Sequence, residues 1–154
     1  QQLNKSRSEA KELIDNYYKT FPKLNQFIAN QIEFARENSY VETILGRRRY
    51  LKNINSQNAI VRSADERNAV NAPIQGSAAD IIKIAMINIH KLLKEGNYKT
   101  KMLLQVHDEL VFDVDASELE ILKPLIKNEM ENAYTFSVPL TVDLDEGKNW
   151  LEAH

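Results

Sequence analysis
Apolar residues recur at helical spacing through the first forty positions of the chain and then change period. Ser6 and Glu9 have the spacing of a capping box, and Ala10, Leu13, Ile14, Tyr17, Tyr18 and Phe21 follow at i, i+3, i+4 steps, which predicts an amphipathic helix. Pro22 is suited to a first helical position, and Leu24, Phe27, Ile28, Ile32 and Ala35 predict a second helix. Residues 40–45 and 49–51 then flank Gly46 and read as a short hairpin, and the polar stretch 53–58 as a loop.

From residue 59 to 93 the pattern is helical but interrupted. Pro73 cannot donate a backbone hydrogen bond to residue 69, and Gly76 follows it, so one helix is expected to end near Asn71. A second should begin around Ser77, with Asp80 at the N3 spacing. The apolar runs 102–106 and 110–114 enclose His107-Asp108-Glu109, which predicts an antiparallel hairpin with a charged tip. Ser117 and Glu120 have capping-box spacing ahead of a helix through Leu122, Leu125, Ile126 and Met130, with Pro124 inside it. Val138, Leu140, Val142 and Leu144 alternate with polar neighbours and predict a last strand before Trp150 and Leu151. The expected class is α+β: helices first, then a small antiparallel sheet backed by helices, with no repeat and no linker.

Composition narrows the possibilities without choosing among them. The 154 residues are enough for one ordinary domain with its own core. A net charge of -2 excludes a chain that is basic overall, so any nucleic-acid surface must be local. Without cysteine there are no disulfides or thiolate metal sites, and a reducing compartment is expected. No apolar run approaches the roughly 20 residues that a membrane span needs, and the N-terminus has no signal-peptide core, so a cytoplasmic protein is expected. The opening Gln1-Gln2-Leu3, without methionine, is what a piece of a longer protein would show.

Three groups of residues carry candidate chemistry. Adjacent carboxylates such as Asp108 and Glu109 repel, by ~1 kcal/mol in water at 4 Å and more near an interior. A hard cation removes that penalty, since Mg²⁺ binds through one or two carboxylates plus phosphate oxygens. Taken alone, the tripeptide fits an ordinary polar turn better than a metal site. Arg67, Asn71 and Gln75 are spaced by four. That puts the first two on one helix face, with Gln75 joining them only if the chain stays helical through Pro73. All three can donate to the purine N3 and pyrimidine O2 acceptors of a DNA minor groove, which occur in every base pair. Alone, a solvated helix face accounts for them better. Arg47, Arg48 and Arg49 form a dense basic cluster that suits either phosphate binding or a charged hairpin rim.

Taken together, ETILGRRRYL, RSADERNAVNAPIQGSAADIIK and LLQVHDELVFDV resemble the C-terminal end of a family A DNA polymerase, the bacterial DNA polymerase I type. The likeness is ordered and runs essentially along the whole chain. It implies residues 1–39 as a helical remnant of the fingers and residues 40–154 as a partial palm domain. By the resemblance, Asp108 is a catalytic Mg²⁺ ligand, Glu109 an accessory carboxylate near the metals, and His107 a neighbour of the primer terminus. Arg67, Asn71 and Gln75 fall where the family contacts the terminal base pairs from the minor groove, and Arg49 is a further candidate DNA contact. The partners implied are primer-template DNA and deoxynucleoside triphosphates, and the location a bacterial cytoplasm.

No segment resembles the family's first motif with its second essential aspartate, the nucleotide-binding helix, the thumb or an exonuclease domain. The expectation is a DNA-directed DNA polymerase, with two Mg²⁺ ions in the parent enzyme, of which this chain alone is inactive and self-associates through exposed edges. Two rivals stand beside it. A non-catalytic duplex-binding module would use Arg67, Gln75 and the arginine cluster. An HD-type metal phosphohydrolase would use His107-Asp108 in a helical setting, with further histidines beyond His90 and His154.

Overall fold
The computed structural model describes residues 6–153; the opening Gln1-Gln2-Leu3 and His154 lie outside them. The described chain is α+β, with helices α1 (Arg7–Thr20), α2 (Pro22–Asn38), α3 (Ala59–Glu95) and α4 (Leu119–Glu131). Strands β1 (Tyr40–Glu42) and β2 (Arg48–Tyr50) form one antiparallel pair, and β3 (Lys101–Val106) and β4 (Glu109–Asp113) another. The chain divides into two compact units at Gln75/Gly76, inside the span of α3.

In the first unit the local signals act as expected. Ser6 caps α1, its hydroxyl accepting from the Glu9 amide while the Glu9 carboxylate accepts from the Ser6 amide. Pro22 opens α2, where its missing N–H costs nothing. The helix ends on Ser39 in the left-handed region, φ +62°, which turns the chain into β1. The core joins Ala35, Val41, Leu51, Ile54, Ala69 and Ala72, with Ile32 against it. The loop after β2 is held by its polar groups: the Asn53 amide donates to Asp65 at 2.8 Å, and the Arg62 guanidinium to the Ser56 carbonyl at 2.9 Å.

In the second unit, the C-terminal part of α3 and α4 supply Ile89, Leu93, Leu122 and Ile126. Leu110 and Phe112 of β4 pack on this cluster, with Leu92, Tyr98, Leu125 and Met130 around it. The small sheet is thus backed by helices, as the apolar runs implied.

Three local expectations are overturned. The helix expected to end near Asn71 continues through Pro73 as α3, and Ser77 and Asp80 are buried mid-helix residues, not a cap. Proline removes one ladder bond and crowds the preceding turn. Buried residues on both sides, Ala69 and Ala72 before it and Ile82 and Ala85 after it, outweigh that local penalty. The Ser117–Glu120 capping box does not form. Ser117 donates both its amide (3.0 Å) and its hydroxyl (2.6 Å) to Asp115 Oδ1, a local turn that leaves Ser117 ahead of the helix and outside the capping position. Residue Glu118 occupies the N-cap instead, and α4 runs on through Pro124. Residues 138–144 form no strand. Alternation becomes a strand only when a neighbouring edge completes the ladder, and none pairs with this segment among the described residues. Its backbone is tied elsewhere, the Val142 amide donating to Glu131 at 3.0 Å, and Lys123 pairs with Glu146 at 2.7 Å.

Candidate active-site hairpin and nucleic-acid face
The register of β3 and β4 defines the tip. Val106 faces Glu109, leaving His107 and Asp108 as a two-residue turn. Such turns demand positive φ, because only then does the turn's twist match that of the strands. His107 supplies it at φ +54° without being glycine. Histidine is among the residues that tolerate this region better than most. The Gln105 side-chain amide donates to the His107 carbonyl at 2.9 Å, closing the turn from the strand below. Further down β3, the register shifts between Met102 and Leu104, a bulge at Leu103.

The hairpin is anchored at its base as well as on its apolar face. Thr100, 3% exposed, donates its hydroxyl to Glu118 at 2.7 Å and accepts the Asp115 amide at 3.2 Å. The Glu118 carboxylate also accepts the amides of Lys99 (2.9 Å) and Thr100 (3.0 Å). The Lys99 amide foremost, with Thr100, holds the Glu118 carboxyl below its ordinary range, and Ser117 does the same for Asp115. The start of β3, the residues after β4 and the start of α4 are therefore one hydrogen-bonded junction. Sequence reasoning passed over both Gln105 and this junction. A lone amide two residues before a charged tip, and a buried threonine at a strand start, were the available signals.

His107 and Asp108 are exposed and Glu109 is half-buried. Asp108 is in no helix and makes no ion pair among the described residues. The helical setting an HD-type dyad needs is therefore absent. The donor set fits Mg²⁺ in kind, two hard carboxylates and no thiolate, with the ion's other ligands left to phosphate and water. Among the described residues no three His, Asp or Glu side chains converge to form a metal cluster.

In the first unit, Arg67, Asn71 and Gln75 are all exposed on α3, and the continuous helix meets the condition for Gln75 to extend the stripe. The arginine cluster divides. Arg48 pairs with Glu42 at 2.7 Å and lies 4.4 Å from the centroid of the Tyr40 ring. The Glu42 contact, foremost, raises its already high pKa. Among the described residues Arg49 reaches only Asn68, at 3.5 Å, and it remains exposed at the hairpin surface. Arg48 therefore serves the hairpin, and Arg49 is the one of the pair whose head group is available to a phosphate.

Comparison with known proteins bears on the whole span. Residues 1–152 match the family described as DNA polymerase family A. DNA polymerase I of Streptococcus pneumoniae is 52% identical over 151 residues, 98% of this chain and 17% of that protein. DNA polymerase I of Caldicellulosiruptor bescii is 49% identical over 147 residues, 96% of this chain and again 17% of the relative. The chain thus spans about one sixth of the length of these relatives. Among solved structures, the polymerase domain of Pol1 from M. smegmatis, in complex with DNA primer-template and dNTP, superposes with a TM-score of 0.95. It is 45% identical, and the match covers 99% of this chain and 27% of that one. With the hairpin and the helix carrying the quoted motifs in place, these matches agree along the full length: the chain belongs to DNA polymerase family A.

Proposed function
We propose that this chain is the part of a DNA-directed DNA polymerase that presents one catalytic carboxylate and one face of the duplex grip. In this reading residues 1–39 belong to the fingers and residues 40–154 to the palm. The observation that carries it is Asp108, an exposed carboxylate on a two-residue turn whose second strand, β4, packs on a helical core. A ligand on such a turn is held more firmly than on a long loop. The solved relative bound to primer-template and dNTP supports DNA and nucleotide as partners.

Each residue then has a role. Asp108 is the principal Mg²⁺ ligand, Glu109 an accessory carboxylate beside it, and His107 a neighbour of the primer terminus. Asp108 and Glu109 would hold Mg²⁺, which when bound would supply charge stabilisation for a phosphoryl transfer. Arg67, Asn71 and Gln75 donate to minor-groove acceptors and so test duplex shape without reading sequence. Arg49 contacts phosphate. Phosphoryl transfer depends on positioning and charge neutralisation, so one carboxylate turn without a second carboxylate strand does not assemble the clamp. The isolated chain is inactive, and its exposed strand edge and apolar surface lead it to self-associate.

Primer extension and metal titration test this together. The isolated chain should incorporate no nucleotide with Mg²⁺. Mn²⁺, standing in for Mg²⁺, should broaden the NMR signals of residues 107–109, and Asp108→Ala should remove the effect. Mg²⁺-dependent incorporation by the isolated chain, lost in Asp108→Ala, would refute its incompleteness. Salt-sensitive duplex binding with no response to Mn²⁺ would favour the non-catalytic binding module.

A further inference from the structure
The left-handed backbone of His107 and the side chain of Gln105 meet at one peptide plane. The His107 carbonyl belongs to the plane that joins His107 to Asp108, and Gln105 Nε2 donates to that carbonyl at 2.9 Å. We infer that Gln105 is a positioning residue that fastens this plane and thereby aims the Asp108 carboxylate; the inference rests on reading Asp108 as a cation ligand.

The physical reason lies in the turn. A two-residue hairpin loop needs positive φ at its first position, and glycine is the ordinary solution. Here the position is His107 at φ +54°, where an L side chain crowds the following carbonyl oxygen. The 107–108 peptide can flip through ψ of His107 and φ of Asp108, which would swing Asp108 to another direction while leaving φ of His107 positive and both strands paired. Gln105 opposes the flip because an amide N–H can donate only to a carbonyl facing it. Its partner across the sheet is Leu110, which packs on the helical core, so the amide is held from a fixed base. Charge and size at position 105 are secondary; donation is the requirement.

A double-mutant cycle on the whole 154-residue chain tests this. Amide hydrogen exchange at residues 107–109 is measured for Gln105→Ala and Gln105→Glu, each with His107 and with His107→Gly. With His107, Gln105→Ala should speed exchange about fivefold, which is about 1 kcal/mol at 1.4 kcal/mol per decade. Gln105→Glu, equal in length but without a donor, should do the same. With His107→Gly the change should fall below about twofold, because without a Cβ the held orientation of the peptide costs nothing to keep. The urea midpoint should move by no more than about 0.5 M in any of these, since both side chains are exposed and only the tip is altered. Equal acceleration in both backgrounds, or native exchange in Gln105→Glu, overturns the positioning role. Mn²⁺ separates this from the metal reading. Weaker broadening in Gln105→Ala than in the native chain supports the inference. No broadening in the native chain overturns the metal reading, while unchanged exchange in Gln105→Ala overturns the role of Gln105 alone.

Discussion

If the tip is held by the core beneath β4, two neighbouring substitutions on α4 should behave very differently. Leu122 is 1% exposed and lies in the cluster with Ile89, Leu93 and Ile126 on which Leu110 and Phe112 rest. Ile121, the residue before it, is 55% exposed. Leu122→Ala removes buried isobutyl surface and leaves a cavity walled by two helices and a strand, which cannot all collapse into it. The expected loss is about 3–4 kcal/mol, within the range for fully enclosed leucines. Ile121→Ala loses only partly buried surface and gains helix propensity, so a change within about 1 kcal/mol is expected. Urea unfolding followed by far-UV circular dichroism reads the difference. With a slope of about 2 kcal/mol per molar, Leu122→Ala should lower the midpoint by about 1.5–2 M and Ile121→Ala by less than about 0.5 M. Because such a loss is a large share of a typical domain's stability, Ile126→Val, at about 1 kcal/mol, serves as the milder probe of the same core. Equal shifts for Leu122→Ala and Ile121→Ala would refute the claim that this cluster supports the hairpin.

Other outcomes follow from the same structure. The carboxyls of Glu118 and Asp115 are held below their ordinary values, so their contribution is complete above about pH 5 and is lost as pH falls through the lowered folded-state values. Protection of the Thr100 amide, relative to its intrinsic exchange rate at each pH, should therefore fall in acid, and Glu118→Gln should flatten that dependence; an identical acid response in the variant would show that Glu118 is not responsible. Pro73→Ala restores a helical donor, and thermal unfolding should rise by an amount equivalent to about 1–3 kcal/mol unless the ring's packing offsets it in full; a lower midpoint would mean that the proline is itself a structural wedge. Leu103 and Leu104 are about half exposed on β3, and replacing both with lysine should shift sedimentation toward monomer; oligomers unchanged by the pair would move the contact to another surface.

Much of the fold was legible locally because the interactions that make it are local. The Ser6–Glu9 box, Pro22 at the head of α2, the Gly46 hairpin and the 102–114 hairpin each depend on residues within a few positions of one another, and each formed. Asp108 was legible as a tip residue for the same reason, although the expected three-residue tip is a two-residue turn, because Glu109 pairs with Val106 as the first residue of β4. Pro73, Ser117 and residues 138–144 were misread because their outcome was settled by competition with distant or unanticipated partners. Proline's penalty is a local quantity of about 3 kcal/mol. It lost to the burial of Ala69, Ala72, Ile82 and Ala85 on either side. Ser117 had the right spacing for a cap, yet it turns back on Asp115 ahead of the helix and Glu118 takes the N-cap position. The alternation of Val138, Leu140, Val142 and Leu144 described a face, but a face becomes a strand only through hydrogen bonds that a second backbone must supply. What the amino-acid order determined was the helical periodicity, the first cap and the existence of the two hairpins; what tertiary structure decided was which of several satisfiable hydrogen-bond patterns each ambiguous segment took, because that choice depends on the packing energy of everything around it.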